Sequence, residues 1–207
     1  ENNISAGNNT AKAKVTLISG DNIAKNYQLP STPYELLFSI GVDAPSINNL
    51  SANSLTYNGE SQDLVTTPTV EGGTIYYAVK DITPLDGDFT TTLPKQKDAG
   101  TYKVWYKVIG DENHGDVEVT AMEYSVIAKK EITPVLEETS YIFNYDEKKP
   151  SIASWTNIID GESLTLTTDY TLTYENNLNA GIAKVSVALK SDGEVAKNYN
   201  AIAKMLG

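Results

Sequence analysis

Apolar and polar residues alternate with a period of two at several places along the chain, and each such stretch predicts a strand. In "YELLFSI", Tyr34, Leu36, Phe38 and Ile40 fall on one side. Further on, Tyr102, Val104, Tyr106 and Val108 share one face, and Lys103, Trp105 and Lys107 the other. Ala183, Val185, Val187 and Leu189 form the inner row of a third stretch. Successive side chains of a strand point to opposite faces, so each stretch has one side for a core and one for solvent. "TIYYAV" and "DYTLTYE" read as the strands that precede the second and third of these. Earlier still, "LTYNGESQ" sets Leu55 and Tyr57 before an Asn58-Gly59 turn, and "IFNYDEKKP" sets Phe143 and Tyr145 before Asp146-Glu147. Sustained helical periodicity with caps is absent, so the chain reads as all-β. "PSIASWTNII" has Ile152, Trp155 and Ile159 at helix-compatible spacing behind Pro150, but its β-branched content favours a strand.

The alternation recurs within a longer repeat. "ENNISAGNNTAKAKVTLISGDNIAKNY", Glu1 to Tyr27, matches "ENNLNAGIAKVSVALKSDGEVAKNY", Glu175 to Tyr199, across a two-residue gap. Ala6-Gly7 meets Ala180-Gly181, Ala11-Lys12 meets Ala183-Lys184, and Ala24 to Tyr27 meets Ala196 to Tyr199. A weaker third copy places Ala99-Gly100 at the same point. Self-similarity of this kind marks a repeat architecture. The glycines Gly7, Gly100 and Gly181 lie 93 and 81 residues apart, the size of a small β-sandwich rather than a propeller blade. At each of them the chain must turn between strands, so a positive φ is expected there.

Three modules follow: residues 1–40 as the C-terminal part of one repeat, 41–128 as a repeat of a second type, and 129–207 as a repeat of the first type. "MEYSVIA" closes the second as "LLFSI" closes the first. Gly41–Pro45 and Lys129–Pro134 read as linkers, short enough to hold neighbours at limited angles. The expected fold is a tandem of small Ig-like β-sandwiches, with β-grasp-like modules as the alternative.

Composition narrows the partners. With 27 acidic and 16 basic residues the net charge is −11, which argues against nucleic acid or an anionic membrane surface. The absence of cysteine excludes disulfides, thiolate metal sites and cysteine nucleophiles. No apolar run nears the roughly 20 residues of a membrane span. "ENNISAGNN" is polar and carries no initiator Met, so the chain is expected to be a piece of a longer protein.

The repeat "TDYTLTYENNLNAGIAKVSVAL…KNY" resembles the Tyr-Asn-Asn-x-x-Ala-Gly modules, Ig-like or MBG-type, of bacterial surface proteins from Bacteroidetes and Firmicutes. "LPKQKDAGTYKVWYKVIGDENHGD" resembles a sister type in the same proteins. Glu147 departs from the pattern at a turn usually held by Gly. The resemblance implies an exported, cell-surface location and a role as a stalk or adhesin segment. It brings no catalytic residues with it, and the expected partners are neighbouring repeats, with a glycan or a host surface protein as a further one.

Candidate chemistry is sparse. His114 is the only histidine and reads as a turn residue at a strand end. Asp86, Asp88, Asp111, Glu112, Asp116, Asp146 and Glu147 all fall in turn-like stretches, where solvated carboxylates are the default; neither "DGD" nor "GDENHGD" has EF-hand ligand spacing. Trp105 is expected in the core; exposed beside Tyr76 and Tyr77 it would instead stack on a sugar ring. Trp155 reads as core. No catalytic, cofactor or metal residue is therefore assigned. The last module is expected to lack its closing strand, and Tyr34 to Ile40 is expected to be covered by the middle module or by a neighbouring chain, whose last module is the natural acceptor of this strand.

Overall fold

A computed structural model describes residues 3–30 and 33–202. Glu1 and Asn2, where the repeat match opens, and Ala203–Gly207, where the last module was expected to end, lie outside the described residues. The protein is mostly β. Among the described residues there is no α-helix, only three-residue 3-10 turns at Ala24–Asn26, Asp86–Asp88 and Ala196–Asn198.

In the first segment β1 (Gly7–Val15) pairs antiparallel with β2 (Tyr34–Ile40). The register opposes Gly7 to Ile40 and Ala11 to Phe38, so β1 bulges between Gly7 and Ala11. That bulge absorbs the two-residue gap of the repeat alignment. Ala11 is fully buried, but Leu36, Leu37 and Phe38 are 48, 55 and 41% exposed. The hairpin buries little of its own apolar surface.

The middle segment runs β3 (Ser46–Asn48), β4 (Ser54–Thr56), β5 (Gln62–Asp63), β6 (Thr69–Glu71), β7 (Gly73–Val79), β8 (Lys95–Gln96), β9 (Gly100–Tyr102), β10 (Val104–Gly110), β11 (Val117–Ala121) and β12 (Ser125–Ala128). Strand orders are β11-β10-β7 and β4-β12-β9, with two further pairs, β3-β6 and β5-β8. β12 is the strand that locks the segment. It lies parallel to β4, with Ile127 beside Leu55, and antiparallel to β9, with Ile127 opposite Gly100 and Ser125 opposite Tyr102. Ile127 is 1% exposed. β11 and β12 thus follow β10 and β9 as β2 follows β1.

The last segment holds β13 (Lys130–Leu136), β14 (Ile152–Thr156), β15 (Tyr170–Glu175), β16 (Lys184–Leu189) and β17 (Tyr199–Ala201). β13 lies between β14 and β17, and β15 pairs with β16. β14 settles "PSIASWTNII" as a strand. Trp155 on it meets Tyr170 edge-on, ring centroids 5.2 Å apart.

Four expectations need correction. Of the two stretches read as linkers, Lys129–Pro134 is mostly strand: Lys130–Leu136 is β13, with Ile132 fully buried. Gly41–Pro45 stays irregular but is tied down by one isolated bridge, Asp43 to His114. "IFNYDEKKP" is not a strand, unlike its counterpart β4, because no described strand lies where β12 lies in the middle segment. The glycines differ among themselves: Gly181 has φ +140°, but Gly7 and Gly100 are not at positive φ. At Gly100 the constraint is space, since a Cβ would stand 3.1 Å from the Tyr102 Oη. Nor are the cores separate. One cluster runs from Tyr57, Leu64, Tyr77, Val104 and Ile127 through Ile132, Leu164, Tyr170 and Tyr199, joining the middle and last segments.

Candidate functional site

The side chains singled out in the sequence are dispersed and most are already engaged; Glu112 is exposed in the turn beside Asp111. His114 Nδ1 lies 2.6 Å from Asp111 Oδ1, within a turn that also takes the Asn113 amide, and this contact holds the Asp111 carboxyl below the usual carboxylate range. Lys80 contacts Asp88 at 2.6 Å and keeps its pKa low, and Lys107 contacts Asp86 at 2.9 Å. Asp116 accepts from the Gly110 amide, Asp146 from Asn144, and Glu147 pairs with Lys149. Among the described residues no three His, Cys, Asp or Glu converge as a metal site. Trp105 is outside the core, half-buried on the outer face, donating its indole N–H to the Lys80 carbonyl at 2.8 Å. Its register partner Ala78 shares that face; Tyr77, 3% exposed, turns the other way, so the three aromatics form no common platform.

Two features stand out instead. The first is a groove of about 620 Å³ in the last segment, between Tyr141–Phe143 on one side and Ala180–Val185 on the other. Its floor is fixed by backbone. Lys148 and Asn177 bond twice, from the Lys148 amide to the Asn177 carbonyl and from Asn177 Nδ2 to the Lys148 carbonyl, and Tyr174 Oη donates to Pro150 O at 2.9 Å. Its walls are apolar and open: Phe143 is 44%, Tyr141 45% and Ile182 91% exposed. β16 pairs with β15 along one edge, and no described strand pairs with the other. In the middle segment the corresponding space, between β4 and β9, is filled by β12. Among the described residues no strand occupies the corresponding space in the last segment.

The second feature is the polar junction where the middle and last segments meet. The Tyr57 and Tyr199 hydroxyls both donate to the Glu162 carboxylate, and their rings meet edge-on at 5.5 Å. Burial first, and then the bond to Glu162, raises both phenol pKa values well above the usual tyrosine range. Tyr199 Oη also accepts the Ile159 amide at 3.1 Å. Gly59, at φ +82°, lets Ile159 approach to where a Cβ would be 2.9 Å away. Alongside, Asn198 accepts the Ala99 amide at 2.7 Å and donates to Asp98, which also pairs with Lys197 at 3.0 Å. The Lys197 contact is the main reason the Asp98 pKa is lowered. Sequence reasoning did not assign Glu162 or Asp98. The signal at hand was the repeated "AKNY", whose last three residues supply one side of this junction.

Comparison with known protein families, characterised proteins and solved structures finds no match.

Proposed function

We propose that the chain is a run of tandem Ig-like β-sandwich repeats from an exported bacterial cell-surface protein, with a structural or adhesive role and no catalysis. The resemblance of its Ala-Gly and "AKNY" words to surface-protein repeats motivates the reading. The observation that carries it is the junction. A repeated four-residue word seats one segment on the next through directional bonds, Asn198 to Ala99 and Asp98, and Tyr199 with Tyr57 on Glu162. Such a clamp transmits orientation from one repeat to the next, which is what a stalk requires. Small-angle scattering is expected to give an extended particle of constant shape across salt and protein concentration at neutral pH, apart from any growth in mass. A particle whose middle and last segments reorient freely would defeat the stalk reading.

A second reading, a glycan- or host-protein-binding module, is favoured by the exposed aromatics Tyr141 and Phe143 along one rim of the groove, with exposed Tyr145 packed against Phe143. Saturable binding of one glycan class on an array, abolished by Phe143→Ala, would select it over the stalk.

A further inference from the structure

We propose that the groove between Tyr141–Phe143 and Ala180–Val185 is a strand-acceptor site, and that its occupant is Tyr34–Ile40 of a second copy of this chain. The protein contains the answer to its own slot. In the middle segment β12 fills the equivalent space, parallel to β4 and antiparallel to β9. In the first segment β2 takes that strand's place against β1, and the pairs coincide: Ile40 opposes Gly7 as Ile127 opposes Gly100, and Phe38 opposes Ala11 as Ser125 opposes Tyr102. The last segment offers β16, unpaired along its outer edge among the described residues, with the stretches 141–143 and 181–183 beside it, and no described filler.

The register follows from the repeat. Gly181 stands for Gly7 and Ala183 for Ala11, so Ile40 falls opposite Gly181, Phe38 opposite Ala183, Leu36 opposite Val185 and Tyr34 opposite Val187. The single residue between Ile40 and Phe38, Ser39, matches the single residue between Gly181 and Ala183, Ile182, so no bulge is needed. On the other edge Ile40 would lie beside Phe143, as Ile127 lies beside Leu55. The apolar row Tyr34, Leu36, Phe38 and Ile40 then shares a face with Val185, Val187 and Leu172, the last two of which pack on the core.

The donor gains by moving. Among the described residues β2 is paired along one edge only, with Leu36, Leu37 and Phe38 about half exposed. In the groove it would be paired along both edges and covered on one face. Main-chain bonds supply affinity and alternate side chains supply register, the physics of β-strand addition. Because donor and acceptor lie at opposite ends of the chain, the contact is head-to-tail and propagates unless a ring closes.

The chain has no cysteine, so single-cysteine variants report this contact cleanly. Phe38→Cys chains are mixed with Ala183→Cys chains under mild oxidation, with Leu37→Cys as the register control. All three positions are exposed, so folding is not at stake. Disulfide formation is expected to be at least about tenfold faster for the Phe38/Ala183 pair than for Leu37/Ala183, because pairing raises the local concentration of matched thiols. The wild-type chain should grow in mass with concentration and return to monomer on addition of a synthetic Tyr34–Ile40 peptide. Equal rates for the two pairs, or a wild-type chain that stays monomeric, overturns the proposal. A monomer that binds the peptide saturably overturns the second copy as occupant, leaving the groove as an acceptor for a strand from elsewhere.

Discussion

Tyr27 and Tyr199 end the same four-residue word and meet opposite surroundings. The local backbone is identical to within a few degrees: φ −124° and ψ 152° at Tyr27, φ −122° and ψ 152° at Tyr199. Yet Tyr27 is 69% exposed and Tyr199 1%. The word sets the turn; the neighbour sets the burial. That difference is measurable by titration. Tyr57 and Tyr199 carry pKa values raised by burial and by the Glu162 carboxylate. Both phenols must therefore stay protonated in the folded protein. Their contribution to stability is complete below the ordinary tyrosine pKa of about 10 and is lost as pH climbs through the raised native values. Tyrosinate absorbance should show these two ionising only with alkaline unfolding, and Tyr199→Phe should remove part of that late phase. A second residue-scale expectation concerns Gly181, whose φ of +140° has no atom within 4 Å of a built Cβ. Its constraint is purely conformational. Gly181→Val should destabilise the last segment by about 1 kcal/mol or more, read by chemical denaturation.

At the scale of elements, a strand is defined by its neighbours as much as by its residues. Leu55 and Phe143 occupy equivalent places, but only Leu55 lies in a strand, because only it has β12 alongside. This is why the alternating stretches were legible in the sequence and "IFNYDEKKP" was not. Period-two patterning fixes which face a strand turns inward, and it located β2, β7, β10, β15 and β16 correctly. It says nothing about whether a partner edge is present. The groove was legible only indirectly, as a strand unaccounted for. Of the junction only the repeated "AKNY" word was legible, because Glu162 and Asp98 look like any other turn carboxylates until the fold brings two tyrosines and that turn against them. The linker reading failed for a similar reason: "KKEITP" has the polarity of a connector, and its role as β13 comes from β14 and β17 on either side. A paired substitution measures the value of a filled slot. Ile127 is 1% exposed between β4 and β9, so Ile127→Ala should cost roughly 2–5 kcal/mol. Ile40→Ala, at the equivalent register position of a strand paired on one edge, should cost clearly less at concentrations where the chain is monomeric.

For the molecule as a whole, the question is whether the middle and last segments unfold together. Their buried residues form one cluster, and the bonds across the boundary are directional. Asn198 is the residue that most directly tests the coupling. It is 2% exposed, its Oδ1 accepts the Ala99 amide at 2.7 Å, and its Nδ2 donates to Asp98 at 3.1 Å. Truncation leaves the Ala99 amide without its acceptor in a partly buried site, a loss of about 1–3 kcal/mol. That cost falls on the boundary, so it should appear as lost cooperativity as well as lost stability. In calorimetry the wild type is expected to show the middle and last segments melting in one transition. Asn198→Ala should lower that transition and split it, with the last segment melting first because it buries less around its open groove. Asn26 is the internal control: it sits in the same turn of the same word, is exposed, and its side chain donates back to the Asn22 carbonyl of its own segment. Asn26→Ala should leave the transition where it is. If both substitutions act alike, the effect belongs to the turn and the clamp between segments is disproved. If neither acts, the shared apolar cluster alone couples the two.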